Sequence, residues 1–360
     1  MAVRIGINGG GRIGRLVARM AMLERRAEVV AVNNHADART LAHLLMYDSV
    51  HGRYPGEIRH AGDTLLVDNS EIPVLRAEDP ADLPWEMLGV DIAVEATGCF
   101  VDEKSACKHL QAGARRVLVT APVKGKAKTV VMGVNEHTLR REDRIVSSSS
   151  CTTNCLAPMA KVLHDAFGIE KGMMTTVHAY TRDQNLLDGS HRDLRRARAA
   201  GFSIVPTTTG AASSIGQVIP ELQGRLDGMA VRVPVPDGSY ADLVALLRMP
   251  VSAELVNAAF QEAAEGTMKG IVEYTEVPLV SADIVGNPHS CVLDAASTLV
   301  VGDNLVKVCG WYDNEWGYAR RCLELVEKMA EMQGQEPVHT AGVVSARSNG
   351  RARRLEYQHR

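Results

Sequence analysis

The sequence predicts two units of different architecture: an α/β domain on a parallel, doubly wound sheet over residues 1–150, then an α+β domain with a mostly antiparallel sheet. Three observations predict it. Short apolar strands alternate with helices through the first 150 residues, a glycine-rich turn follows the first strand, and after Cys151 longer β-rich runs succeed one another with few helices between them. Composition sets the outer limits. The chain has 360 residues, enough for two domains of about 150 each, and its 46% apolar and 23% charged residues exclude disorder as the main state. Forty Lys+Arg against 43 Asp+Glu give no basic field for a phosphate backbone, so a nucleic-acid partner is not expected. Nor is a membrane, because the chain lacks the run of about 18 apolar residues that a span requires.

Each element has a local reason. Val3, Ile5 and Ile7 alternate and stop at Asn8-Gly9, as a strand does; from Arg12 the period turns helical, with Ile13, Leu16, Val17 and Met20 on one stripe, and Val29 to Val32 forms the next strand. That is a βαβ unit, and apolar runs at 91–94, 116–119, 129–132 and 144–146 extend the sheet. A helix is predicted from Cys151 to Phe167, with Leu156, Met159, Leu163 and Phe167 on one face, Pro158 in its first turns and Gly168 as its stop. Runs at 173–179, 228–233, 239–249, 270–274 and 304–312, with a helix over 253–264, make the second sheet. The stretch 181–203 is long and irregular, and long ordered loops are usually functional. A last helix over 315–332 carries Ala319, Leu323, Val326 and Met329 in register, and the polar, Arg-rich 333–360 is expected to be disordered.

Chemistry concentrates in a few places. Gly9-Gly10-Gly11-Arg12-Ile13-Gly14 fits G-x-G-x-x-G in the strand-to-helix context that the motif needs. Gly9 permits the tight turn, Gly11 lets backbone approach a pyrophosphate, and Gly14 lets helix pack on strand. The acidic residue that takes ribose hydroxyls about twenty residues further on is replaced by Asn33-Asn34, which can still hydrogen-bond a ribose but does not repel a 2′-phosphate. Ser150-Cys151-Thr152-Thr153-Asn154-Cys155 enters a helix, where exposed amides and the dipole favour a thiolate; a buried structural cysteine is the competing reading, and it suits Cys155 better. His178, in a β-rich run, is a base only if the fold brings it to Cys151. Arg195, Arg196, Arg198 and Arg232, with Thr207, Thr208 and Thr209 before Gly210, could form anion sites or merely a solvated basic loop and a turn. Seven cysteines, an odd number, show no metal spacing and no disulfide framework, so no metal is expected and a reducing, cytoplasmic setting is. The N-terminus enters the glycine motif directly, without the features of a secretion signal.

Together these residues resemble phosphorylating glyceraldehyde-3-phosphate dehydrogenase. The likeness runs from Ile7-Asn8-Gly9 through Ser150-Cys151-Thr152-Thr153-Asn154-Cys155, His178-Ala179-Tyr180-Thr181, Asp193-Leu194-Arg195-Arg196, Thr209-Gly210-Ala211-Ala212 and Arg232-Val233-Pro234 to Asp313-Asn314-Glu315-Trp316-Gly317-Tyr318. It implies a Rossmann NAD(P)-binding domain over 1–150 and 315–332, and a catalytic domain over 151–314 that contains the family's S-loop at 181–203. It implies oxidation of D-glyceraldehyde 3-phosphate through a thioester on Cys151, with His178 as base, and release of 1,3-bisphosphoglycerate by inorganic phosphate. Thr181 and Arg232 would take the substrate phosphate, with Arg196 a further local cation, and Ser150, Thr152, Thr209 and Gly210 the attacking one. Gly9, Gly11, Arg12, Ile13, Gly14, Asn34, Thr120 and Asn314 would hold the cofactor, and the assembly would be a homotetramer. Departures lie at Gly10, where the family usually has an aromatic, at Ser213 for a Lys, at Asn34, at Glu78 for a cation, and at Gly189-Ser190, where NAD-specific bacterial forms often read Leu-Pro and photosynthetic NADP forms carry a Ser. Use of NADP as well as NAD is therefore expected, with NAD slightly favoured. The paralogous erythrose-4-phosphate dehydrogenase shares the Cys and His motifs but lacks the His-Ala-Tyr-Thr and Thr-Gly-Ala-Ala runs, and a non-catalytic binding role has only the Arg-rich tail in its favour.

Overall fold

Residues 2–332 are described by the computed structural model of the chain; the tail expected to be disordered, 333–360, lies outside the described residues. A nine-stranded sheet holds the strands Lys128–Thr129, Ile145–Ser147, Arg116–Val119, Ile92–Glu95, Val3–Asn8, Ala27–Asn33, Ser70–Leu75, Thr64–Val67 and Ile58–Ala61 in that spatial order. The first seven are parallel. The last two are an antiparallel edge that the periodicity did not reveal, because Ile58–Ala61 is mostly exposed and its pattern is weak. The predicted strand at 129–132 shrinks to Lys128–Thr129, after which the chain turns. The chain leaves Val3–Asn8 toward Ala27–Asn33 on one side and returns to Ile92–Glu95 on the other, so the order reverses there, and ligands bind outside the carboxyl ends of strands at such a point.

The second sheet has eight strands. Val205–Thr208, Leu226–Val233, Ile169–Ala179, Ser239–Leu247, Leu305–Tyr312, Cys291–Asp294 and Val272–Thr275 follow in order, and Leu299–Val301 pairs with Leu305–Tyr312. Two of its pairings are parallel and the rest antiparallel. Val205–Thr208, Cys291–Asp294 and Leu299–Val301 were not anticipated; each is too short to display a period. Ser239–Leu247 alternates strictly between buried and half-buried residues, and its buried face packs under the helix Cys151–Phe167. Pro158 lies within that helix, which continues through it to Gly168. The final helix, Trp316–Glu331, buries Tyr318, Ala319, Leu323, Val326 and Met329 in the core of the first sheet with Ile5, Ile7, Leu16 and Met20. Cys151 packs against both cores and so stands at the seam between them. No helix among the described residues is long and apolar enough to cross a membrane.

Candidate active site

A cleft of about 690 Å³ opens at the carboxyl ends of the parallel strands. It gathers Gly11, Arg12, Ile13, Thr120, Ser150, Cys151, His178, Thr181 and Asn314 from the residues singled out in the sequence. At one end is the glycine turn. Gly9 has φ +108°, and a Cβ there would meet the Ala96 carbonyl carbon at 2.7 Å; a Cβ on Gly14 would stand 1.9 Å from the Gly9 carbonyl oxygen, so the helix Arg12–Glu24 can approach its strand only without one. Gly11 has open space where a side chain would be. It is the N-cap, and the first amides of the helix lack partners within it, leaving donors for an anion. The Arg12 guanidinium is held away from this role by Asp48 and Glu315. Although burial opposes it, the amides of His51 and Val50 and the Arg12 guanidinium hold the Asp48 carboxyl down at about 2. Asn34 stands beside Gly10 outside the cleft lining, its Nδ2 donating weakly to the Ala36 carbonyl at 3.5 Å. Thr120 donates from Oγ1 to the Glu95 carbonyl at 3.1 Å.

At the other end stand the thiol and the imidazole. Cys151 is the first residue of its helix, capped by the Ser150 hydroxyl, which accepts from the Thr153 amide at 3.0 Å. His178 reaches it by strand parity. Met174, Thr176 and His178 share the buried face of Ile169–Ala179, and the parallel register sets Arg232 opposite His178 on the neighbouring strand. Sγ of Cys151 is 3.4 Å from Nε2 of His178, and Nδ1 of His178 is 2.7 Å from the Ala179 carbonyl. A carbonyl only accepts, so Nδ1 carries the proton and Nε2 presents its lone pair to the thiol. Burial, then the Arg232 charge, depress the imidazole to about 3. Burial pushes the Cys151 thiol up while Arg232 pulls it back. Burial thus opposes a charge on either member alone.

The turn before the nucleophile is strained and clamped. Ser149 is buried with φ +60°, an uncommon conformation for a residue with a side chain. Tyr318, from the final helix, donates to the Ser149 carbonyl at 2.9 Å and lies 2.6 Å from the Ser148 hydroxyl. Tyr312 lies beneath the pair: its hydroxyl is 3.0 Å from Thr152 Oγ1 and 2.9 Å from Thr176 Oγ1, and its ring meets His178 edge-on. The Thr152 hydroxyl is therefore turned away from the cleft.

The predicted anion groups divide. Arg232 donates to Thr181 Oγ1 at 2.9 Å and to the Ala179 carbonyl at 3.1 Å, while its buried Nε has no partner. Arg196 is spent on Asp183 of its own loop and on Thr207 Oγ1 and the Thr208 carbonyl of the strand Val205–Thr208, so the Asp183 carboxylate already occupies its charge. The turn carrying Thr209 and Gly210 docks near the helix start, with Ser214 donating to the Gly210 carbonyl and lying 3.4 Å from Thr153 Oγ1. Sequence reasoning passed over Ser149, Ser239, Tyr312 and Tyr318. Only the run of four serines before Cys151, unusual before a helix, marked one of them.

Two family models match the chain, the glyceraldehyde 3-phosphate dehydrogenase NAD binding domain over residues 3–103 and its C-terminal domain over residues 150–314. The chain is 55% identical over 331 residues to glyceraldehyde-3-phosphate dehydrogenase of Geobacillus stearothermophilus, spanning 92% of this chain and 99% of that one. It is 54% identical over 333 residues to the enzyme of that name in Mycobacterium avium, covering 91% and 98%, and 53% identical over 332 residues to glyceraldehyde-3-phosphate dehydrogenase 1 of Bacillus subtilis, covering 92% and 99%.

Proposed function

The chain belongs to the glyceraldehyde-3-phosphate dehydrogenase family, and from that premise we propose that it oxidises D-glyceraldehyde 3-phosphate to 1,3-bisphosphoglycerate with reduction of NAD, through a thioester on Cys151. The observation that carries the reading is the Cys151–His178 contact in a cleft whose far end is a glycine-rich helix N-terminus. The open space at Gly11 and the unspent first amides fit a dinucleotide pyrophosphate, with Arg12 and Ile13 contributing amides, Asn34 facing the adenosine ribose, Thr120 the other ribose and Asn314 the carboxamide. When bound, the nicotinamide supplies a hydride acceptor.

The remaining work falls to this chain's residues. Nε2 of His178 takes the thiol proton as sulfur attacks the aldehyde carbon, and the carbonyl pair moves to oxygen. Neither charge is favoured alone, but the imidazolium formed lies against the new oxyanion, which the Cys151 amide also holds. Loss of hydride from carbon leaves the thioester, which keeps the oxidation free energy. Inorganic phosphate then attacks the thioester carbon, and the sulfur departs as the acyl phosphate forms. Arg232 and Thr181 take the C3 phosphate; the unpartnered Nε of Arg232 supports this. Ser150, Thr209, Gly210 and the backbone of Thr152 take the attacking phosphate.

We also assign NADP as a second cofactor. Asn34 puts no carboxylate against a 2′-phosphate, whereas exposed Glu78 supplies no cation for it, so NAD keeps a slight advantage. A homotetramer is favoured by the loop 181–203, where Leu194 and Phe202 are 82% and 89% exposed, and by Met173, Val177 and Met229 on the open face of the second sheet. The shared core of the final helix supports a cofactor domain of 1–150 with 315–332, and a catalytic domain of 151–314. All seven cysteines are free, which suits a cytoplasmic enzyme. The test is to assay glyceraldehyde 3-phosphate and erythrose 4-phosphate with NAD, with and without inorganic phosphate. Sustained turnover of the triose that requires phosphate is expected; turnover of either aldehyde indifferent to phosphate rejects the reading.

A further inference from the structure

Ser239 begins the strand Ser239–Leu247, fully buried and opposite Tyr312 in the antiparallel register. Its hydroxyl serves two parts of the site at once. The Ala179 amide donates to Ser239 Oγ at 3.1 Å, and Oγ donates its own hydrogen to Asn314 Oδ1 at 2.5 Å. The direction follows from donor counting. An amide oxygen only accepts, so the serine hydrogen fixes Oδ1 toward Ser239 and turns Nδ2, with its two hydrogens, toward the cleft that Asn314 lines. The opposite setting of the amide would leave the serine hydrogen without its acceptor at a site with no exposed surface, a loss that buried polar groups rarely bear. The same serine anchors the peptide of Ala179, whose carbonyl receives Nδ1 of His178 and a nitrogen of Arg232.

We propose that Ser239 is a positioning residue that sets which way Asn314 presents its amide, so that the cleft selects a ring substituent bearing a carbonyl acceptor and holds one face of that ring toward Cys151. This rests on the NAD-dependent reading above. Two neighbouring functions are thereby coupled through one hydroxyl: the anchor for the cofactor ring and the backbone that fixes the tautomer of His178.

The test combines a variant with a probe on the unaltered protein. In Ser239→Ala, the dissociation constant for NAD, read by protein fluorescence, is expected to rise roughly tenfold, while KM for the aldehyde rises less, because Ser239 reaches Arg232 only through the Ala179 peptide. With C1-deuterated substrate, the variant delivers deuterium to both faces of the ring and the parent protein to one. An unchanged dissociation constant together with delivery to a single face overturns the proposal. Independently of how the variant folds, the parent protein should bind the 3-acetylpyridine dinucleotide, which keeps the carbonyl but lacks the amide hydrogens, within about threefold of NAD, and a dinucleotide whose ring has no carbonyl at least tenfold more weakly. Equal binding of these two analogues also overturns it. Failure of the parent protein to oxidise the aldehyde would count against the functional reading alone, since the analogue titration reads the direction of the Asn314 amide without turnover.

Discussion

Nε2 of His178 stands 3.4 Å from Sγ of Cys151 while Nδ1 of the same ring donates to the Ala179 carbonyl, so the base is aimed at the nucleophile with its tautomer already chosen. Replacing His178 by Asn keeps a polar side chain but removes the proton acceptor. The expected result is a fall in kcat of about 100-fold to 10,000-fold with little change in aldehyde KM. The alkylation of Cys151 by iodoacetamide should slow and its pH profile shift upward, because the thiol loses the Nε2 lone pair that takes its proton as sulfur attacks. An unshifted alkylation profile would show that the imidazole does not govern the thiol.

Arg232 offers Thr181 and an unpartnered Nε at the same end of the cleft. Its replacement by Ala removes a charge-assisted contact worth about 1.5–3 kcal/mol, so KM for the phosphorylated aldehyde should rise about 10-fold to 150-fold. KM for an unphosphorylated aldehyde, which makes no such contact, should hardly move. A parallel rise for both aldehydes would mean that Arg232 supports the fold of the site and not the phosphate.

Asn34 replaces a carboxylate at the ribose end. Asn34→Asp should lower kcat/KM for NADP by at least about tenfold and leave NAD unchanged or slightly improved, since a carboxylate repels the 2′-phosphate but accepts from the ribose hydroxyls of NAD. Steady-state kinetics with both cofactors measure this. Dual use by the parent protein fails as an idea if it prefers NAD by more than about 1000-fold, roughly 4 kcal/mol.

Asp237 is buried against Asp313, with Glu315 close by, and burial first and these carboxylates second raise its carboxyl to about 9. The sign follows from proton counting. Between the ordinary carboxyl value and about 9 the folded chain binds the extra proton, so stability is full at low pH and is lost as pH rises toward 9, by at most about 1.4 kcal/mol per pH unit. Asp237→Asn cannot lose that proton. Its melting temperature should fall less than that of the parent protein between pH 6 and pH 9; an equally steep fall would place the alkaline loss elsewhere.

Local chemistry made much of the site legible in the sequence. The glycines at 9, 11 and 14 announce their turn because only a missing side chain satisfies it, and the capped helix start marks Cys151 as a candidate nucleophile, although burial, which local sequence does not show, pushes its thiol up. The partnership of His178 with Cys151 is a tertiary fact: strand parity says that His178 faces the core with Met174 and Thr176, but not that the helix above it begins with the thiol. Ser239, Tyr312 and Tyr318 act across long stretches of chain and carry no local signature. For Arg196 the sequence showed a cation but not the Asp183 carboxylate that occupies it.

The central claim is a thioester on Cys151, and phosphate-dependent reduction of NAD by Cys151→Ser tests it most directly. With His178, the Arg232–Thr181 contact and the glycine turn intact, the variant should still bind cofactor and substrate, yet its turnover with glyceraldehyde 3-phosphate should fall by at least about 10,000-fold, because a hydroxyl beside a neutral imidazole does not supply the nucleophile. Phosphate-dependent oxidation at near the parent rate would contradict the account.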